Sequence, residues 1–111
     1  MADIYTGNFE NWAGVMAAFE VKPALPEPEQ VYGASYDIDG YEGSADVVYR
    51  HGDRVFWNHG SHCSCYGLEG QWDPEEYDIA TALAAFRRVP NYALTDPLRN
   101  AIAGLAPLVN G

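Results

Sequence analysis

The chain has 111 residues and carries sixteen acidic against six basic side chains, which gives a formal net charge of −10. Apolar residues make up 48% of the chain and aromatic residues 14%, so there is enough apolar surface to build a core, which argues against intrinsic disorder. This length predicts a single domain over residues 1–111.

The charge also excludes some classes of partner. Direct binding of nucleic acid requires clustered Lys and Arg side chains, which this chain lacks. A partner reached through electrostatic attraction should therefore be basic, either a protein or a nucleoprotein complex. The sequence shows neither a basic apolar leader nor an apolar run of membrane-spanning length, which predicts a cytoplasmic protein without membrane contacts.

The first predicted element is a helix with Asn8 as its N-cap. Large apolar residues follow at steps of three and four, which places them on one face of that helix. These residues are Phe9, Trp12, Met16 and Phe19. The helix should end before Lys22-Pro23, and the prolines of residues 23–29 predict an extended acidic connector.

Three antiparallel strands are predicted next. Residues 31–38 alternate in a way that places Tyr32 and Ala34 on the same face of a strand. Residues 45–50 and 54–58 then form a hairpin around Gly52-Asp53, a suitable two-residue turn. Counting outward from the turn predicts two cross-strand pairs, Tyr49–Phe56 and Val48–Trp57.

Two helices complete the chain. Asp73-Pro74-Glu75-Glu76 combines an N-cap aspartate with proline at the first helical position, which predicts a helix beginning there, with Ile79, Leu83 and Phe86 buried. Thr95-Asp96-Pro97 repeats this pattern and predicts a last helix that ends at Pro107. The predicted fold is therefore α+β, a three-stranded antiparallel meander packed by helices on one face, in the order α-β-β-β-α-α.

The most unusual stretch, residues 58–72, contains both cysteines of the chain. Together with two histidines they provide the nitrogen and sulfur ligands that tetrahedral zinc prefers. The candidate ligands are His59, His62, Cys63 and Cys65. Known structural sites draw pairs of ligands from two separate segments, so this spacing is poor for zinc and favours a packed loop in which the cysteines act as small apolar residues. We expect no cofactor unless this loop binds zinc.

The same loop raises the possibility of thiol catalysis. A cysteine beside a histidine can act as a nucleophile when the imidazole takes the thiol proton. Because adjacent residues on an extended loop point apart, the base would be His51 or His59. The cysteines are separated by one residue, a spacing that would strain a disulfide, so free or metal-bound thiols are expected.

Acidic residues form two groups, one on the predicted sheet and one near the second predicted helix. The ordinary interpretation is a solvated face that aids solubility. However, Asp37 and Asp39 project from one side of a strand about 6.6 Å apart, a separation that resembles successive phosphates. The candidate partner-binding residues are Asp37, Asp39, Glu42, Asp46, Glu69, Glu75 and Glu76.

Residues 61–75, SHCSCYGLEGQWDPE, resemble a motif in small uncharacterised proteins of phages and prophages. The similarity covers roughly residues 36–83 and carries no assigned activity or catalytic residue. It implies an origin in a phage or mobile element. By analogy with small acidic phage proteins that bind host enzymes, it suggests an interaction partner among host defence proteins.

These observations support one main hypothesis and two alternatives. The main hypothesis is an acidic phage-type interaction protein that inhibits a host defence or nucleic-acid-binding complex, anti-CRISPR-like and acting as a nucleic-acid mimic. The first alternative is a small zinc-binding or thiol-dependent enzyme centred on His62, Cys63 and Cys65. The second is a structural or regulatory module with an inert loop.

Overall fold

A computed structural model of the chain describes residues 2–63 and 67–110. Within these residues, five strands form one sheet in the order β1-β2-β3-β4-β5. The strands are β1 (Tyr5–Gly7), β2 (Gln30–Asp39), β3 (Glu42–His51), β4 (Arg54–His62) and β5 (Glu75–Asp78). The helices are α1 (Trp12–Phe19), α2 (Ile79–Arg87) and α3 (Asp96–Asn110), and a 3-10 turn at Asn91–Ala93 precedes α3.

The predicted three-stranded meander was wrong, because the sheet has five strands and is mixed. β2, β3 and β4 pair in sequence as antiparallel neighbours, but β1 adds a parallel strand at one edge and β5 an antiparallel strand at the other. β1 has only three residues, too few to show an alternating pattern. The fold remains α+β, with the element order β-α-β-β-β-β-α-α once the 3-10 turn is set aside.

The central hairpin has the predicted register. Tyr49 pairs with Phe56 and Val48 pairs with Trp57, so both predicted cross-strand pairs are confirmed. The rings of Tyr49 and Phe56 stack with their centroids 5.0 Å apart. This hairpin is specified locally, since the turn residues and the alternation of the two strands agree on the same register.

Helices cover both faces of the sheet, not the single face that the sequence predicted. The face against α1, here called the α1 face, is packed by buried residues that include Trp12, Phe19 and Val47. The opposite face, here called the α2–α3 face, is packed by Val48, Phe86 and Leu98 among others. Val47 and Val48 are adjacent in β3 and both fully buried, because this strand is covered on both sides.

A β-bulge in β2 separates two residues that were predicted to share a face. The register with β3 shifts between Val31 and Gly33, and Tyr32 packs on the α2–α3 face while Ala34 packs on the α1 face. Gly33 lies against Pro97 of α3, where an added Cβ would come within 2.6 Å of the proline Cα. The absence of a side chain at Gly33, beside the bulge, therefore lets α3 approach the sheet backbone closely.

The predicted helix start at Asp73 was also wrong. Asp73 donates its backbone N–H to Asn58 Oδ1 at 2.8 Å, which holds the chain in an extended path beside β4. Residues 75–78 continue that path as β5, and α2 begins only at Ile79. Asp78 is the actual N-cap, since its carboxylate accepts a hydrogen bond from the Thr81 N–H at 2.7 Å. That bond lowers the pKa of Asp78.

The other two helices largely follow their predicted patterns. The apolar residues expected on one face of the first helix are buried, but α1 begins only at Trp12, so Phe9 precedes it. The N-cap is Asn11 and not Asn8, because the Asn11 side chain accepts a hydrogen bond from Gly14 N–H at 2.8 Å. Asn8 instead donates its backbone N–H to Tyr36 O in β2. In α3 the start is as predicted, whereas Pro107 lies inside the helix.

Across residues 2–63 and 67–110, no helix combines the length and the apolar character needed to cross a membrane.

Candidate functional site

Side-chain amides fix the segment that follows the cysteines. Gln71 Nε2 donates to the carbonyl oxygens of Ser61 and Gly67, both at 2.7 Å, and Gln71 Oε1 accepts from Ser61 N–H at 2.8 Å. The Gln71 amide thus pairs with Ser61 as a neighbouring strand would. Asn58 supports the same segment by donating to Gln71 O at 3.2 Å. Much of the motif is therefore structural.

Two apolar side chains of this segment close the core on the α1 face. Leu68 is buried, and the Trp72 ring stacks on Tyr49 with centroids 6.0 Å apart. Trp72 also meets Trp12 and Phe19 edge-on. These contacts are those of a core residue, and they explain the aromatic content of the motif by packing.

The two histidines of the proposed zinc site lie on opposite faces of the sheet. His59 pairs with Asp46 on the α2–α3 face, whereas the His62 ring contacts Tyr36 on the α1 face. A single ion cannot reach both imidazoles. Cys63 is half-buried, and Cys65 lies outside the described residues. The described residues contain no group of three or more potential metal ligands.

The candidate bases for a thiol nucleophile also lie away from Cys63. His51 pairs with Arg54 at the far end of β4, so about 30 Å of extended strand separates it from Cys63. His59 precedes Cys63 by four residues, about 13 Å along the strand. Hydrogen-bond contact between base and nucleophile requires a separation near 3 Å.

Three of the predicted partner-binding acids converge at one end of the sheet. Asp37, Asp39 and Glu42 are exposed and line one shallow depression of about 350 Å³ with Ser44. Cross-strand pairing brings Asp39 opposite Glu42 and Asp37 opposite Ser44, all on one face of the β2–β3 hairpin. These three carboxylates are called the acidic tip below.

Among the described residues, no basic side chain forms an ion pair with the acidic tip. In the described part of the chain, the ion pairs within 4 Å involve other acids and none of the three at the tip. The paired arginines, Arg50 and Arg54, lie at the opposite end of β3 and β4, where they contact Glu29 and Glu76. Eight residues of strand separate Glu42 from Arg50, about 26 Å. These two arginines are thus too far from the acidic tip to neutralise it.

Asp46, a fourth predicted contact residue, is only 4% exposed. Its Oδ1 accepts a hydrogen bond from Trp57 Nε1 at 3.0 Å and lies 3.1 Å from His59 Nδ1. The His59 side chain is 55% exposed, so the pair joins a buried carboxylate to an accessible imidazole. The imidazole is therefore oriented with Nδ1 toward the Asp46 carboxylate, and Nε2 takes no part in this contact.

The remaining predicted acids lie apart from the tip. Glu69 accepts a hydrogen bond from the Gly67 N–H, and Glu76 pairs with Arg54 at 2.9 Å. Glu75 accepts a hydrogen bond from the Tyr77 hydroxyl at 2.5 Å. Burial and this bond raise the pKa of Tyr77 to about 12. The seven predicted acids therefore do not form one continuous surface.

A cleft that the sequence did not suggest adjoins the tip on the α2–α3 face. It consists of two neighbouring cavities of about 400 and 310 Å³, which share Asp46 and Thr95 in their walls. The larger cavity has a polar lining and the smaller an apolar one. The larger is lined by Thr6, Ser35, Asp37, Ser44, Leu94 and Asp96, and the smaller by Trp57, His59, Val89 and Ala93.

One sequence signal could have identified this cleft. Polar residues alternate at Ser35, Asp37 and Asp39 in β2, and at Glu42, Ser44 and Asp46 in β3. Paired in register, they make one polar strip that extends beyond the helices covering the same face.

A scan against protein-family models, a search of curated proteins and a search of solved structures each gave no match to this chain.

Proposed function

We propose that this protein acts by binding, and that the acidic tip contacts a basic surface of another protein. The observation that carries the proposal is the convergence of Asp37, Asp39 and Glu42 on one exposed face without a described cation beside them. Like charges held this close repel one another and do not stabilise the isolated chain. A cationic partner would turn that repulsion into attraction.

Basic surfaces of this kind occur on proteins that bind nucleic acid. Two of the three tip carboxylates, Asp37 and Asp39, lie on one face of β2 about 6.6 Å apart, which resembles the spacing of successive phosphates. We therefore propose competition with nucleic acid as the mode of action. The resemblance of residues 61–75 to phage proteins supports a host defence complex, such as a CRISPR effector in the host cytoplasm, as the partner.

The experiment is a displacement assay with a fluorescent nucleic acid bound to a candidate effector. The test variant is Asp37→Asn/Asp39→Asn/Glu42→Gln, here called the tip variant. Its matched control neutralises three exposed acids elsewhere, Glu10→Gln/Glu20→Gln/Asp53→Asn, so both variants have the same net charge. Wild-type protein and the control should displace the nucleic acid, and the tip variant should not. Equal displacement by all three would overturn the proposal.

The alternative function, a zinc-binding or thiol-dependent enzyme at His62, Cys63 and Cys65, gains no support from the described residues. Elemental analysis of protein purified without a histidine tag tests it directly, because one zinc per chain would favour it over binding through the tip.

A further inference from the structure

We propose that the cleft beside Asp46 and Thr95 binds a guanidinium group, the side chain of an arginine on the basic partner. This inference rests on the proposed function and names the residue type that the partner presents. The cleft shares Asp37 with the acidic tip, but it also contains Asp46 and Thr95, so its ligand can be tested separately from binding at the tip.

The polar half of the cleft offers acceptors in excess. Asp37 and Asp96 line it with exposed carboxylates, and Asp46 adds a buried one whose two hydrogen bonds both use Oδ1. Hydroxyls of Ser35 and Ser44 lie in the same wall. A guanidinium has five N–H donors and no acceptor, so it complements such a lining better than any neutral group.

Thr95 adds an independent observation. Thr95 lines both cavities, and its Oγ1 is buried with no hydrogen-bond partner among the described residues. Buried hydroxyls in folded proteins are almost always hydrogen-bonded, so an unpaired one on a residue of the cleft wall favours a ligand that supplies the missing bond. A guanidinium N–H is a suitable donor.

The apolar half of the cleft suits the aliphatic part of an arginine side chain. Trp57, Val89 and Ala93 line it, so an aliphatic stem fits there while the charged end reaches the carboxylates. Arginine combines a methylene stem with a planar head that stacks on aromatic rings and binds carboxylates in a bidentate manner. Lysine provides the stem but only a point charge.

Other ligand classes fit less well. An anion would be repelled by three carboxylates, even though the N-terminus of α3 contributes about half a positive charge nearby. A metal ion lacks a ligand set, since no group of three or more potential ligands occurs in the described part of the chain. A cationic, multidentate donor is the remaining class.

The test compares two peptides of equal charge, each with three basic residues alternating with three glycines, one with arginine and one with lysine. We expect the arginine peptide to bind wild-type protein about tenfold more tightly, as measured by calorimetry. Backbone amide signals of Asp46, His59 and Thr95 should shift in nitrogen–proton spectra during the titration.

Two variants test the location. Ala93→Trp fills the apolar half and should reduce the preference for arginine to less than about twofold. Tyr92→Trp is its control, because Tyr92 lies on the same 3-10 turn, is largely exposed and does not line the cleft. Thr95→Val provides a second variant that keeps the shape of the cleft and removes the hydroxyl; it should lower the affinity for the arginine peptide alone.

The outcomes separate this inference from the proposed function. Salt-dependent binding of both peptides with equal affinity would overturn the proposed arginine site in the cleft, but it would agree with partner binding at the acidic tip. An arginine preference that survives both Ala93→Trp and Thr95→Val would also overturn it. Absence of binding to either peptide would count against both proposals.

Discussion

Asp46 and His59 face each other across β3 and β4, with Asp46 Oδ1 3.1 Å from His59 Nδ1. The carboxylate lies under the cleft and is almost entirely buried, while the imidazole is accessible. The pair therefore links the stability of the sheet to the surface proposed for binding. Replacing either residue should affect both properties, whereas replacing a tip acid should affect binding alone.

The first prediction concerns Asp46. Asp46→Ala should reduce the free energy of unfolding by about 2 kcal/mol, because it removes the acceptor for the Trp57 indole N–H and for His59. Asp37→Ala, on the same face but exposed, is the control and should cost less than about 0.5 kcal/mol. Urea unfolding measures both values. Equal losses would show that Asp46 is not the buried acceptor described here.

The second prediction concerns the start of α2. Asp78→Ala should lower the melting temperature, because the Thr81 N–H loses its acceptor, whereas Asp73→Ala should leave it almost unchanged.

The pKa of Asp78 is lowered in the folded protein by its bond from Thr81. The ionised Asp78 carboxylate therefore contributes its full stabilisation of the folded protein at pH values above the ordinary aspartate pKa, and this contribution is lost as the pH falls through the lowered pKa of the folded state. The difference between wild type and Asp78→Ala should be constant near neutral pH and shrink in acid. A larger loss of stability in Asp73→Ala than in Asp78→Ala would instead indicate that the helix begins at Asp73.

The third prediction tests the contact between β2 and α3. Gly33→Ala should destabilise the protein by about 1–3 kcal/mol, since its Cβ would lie 2.6 Å from the Pro97 backbone. Gly14→Ala in α1 is the matched substitution, where the nearest contact would be 3.4 Å, and it should be neutral or stabilising. Thermal unfolding of the two variants decides the point, and similar melting temperatures would contradict the close approach of α3.

The fourth prediction concerns alkaline pH. Burial, with a smaller contribution from the charge of Glu76, raises the pKa of Tyr49 to about 12. Between the ordinary tyrosine pKa of about 10 and this value, the folded protein retains a proton that the unfolded chain releases, so stability falls as pH rises. Tyr49→Phe keeps the ring contacts and should show a shallower decline in denaturant midpoint over this range. Parallel curves for the two proteins would contradict the burial of the Tyr49 hydroxyl.

Local patterns in the sequence predicted those parts of the fold that depend on neighbours along the chain. The apolar spacing of α1 and the turn at Gly52-Asp53 each involve residues close in sequence, and both gave the correct element. The β5 strand could not be predicted in this way. Asp73-Pro74 has the local chemistry of a helix start, but Asn58, fifteen residues earlier, captures the Asp73 N–H and keeps the chain extended.

In the candidate site, too, local patterns located some features, while others depend on residues that are distant in the sequence. Alternation alone placed Asp37 and Asp39 on one face, as the structure has them. The burial of Asp46 depends on Trp57 and His59 in the next strand, and continuing the predicted register from Val48–Trp57 by two residues would have placed Asp46 opposite His59. The alternating polar residues of β2 and β3 mark one wall of the cleft, but its other wall required α3 and the 3-10 turn to be positioned in three dimensions, so the sequence pattern did not define its shape.

The most direct test of the central claim is the association rate of the protein with a basic effector at about 20 mM and about 150 mM salt. Steering by the acidic tip predicts that the tip variant associates about tenfold more slowly than wild type at low salt, with a smaller difference at high salt and little change in dissociation. The control variant with the same net charge should associate at close to the wild-type rate. Equal slowing of the tip and control variants, or unchanged association of both, would contradict binding through Asp37, Asp39 and Glu42.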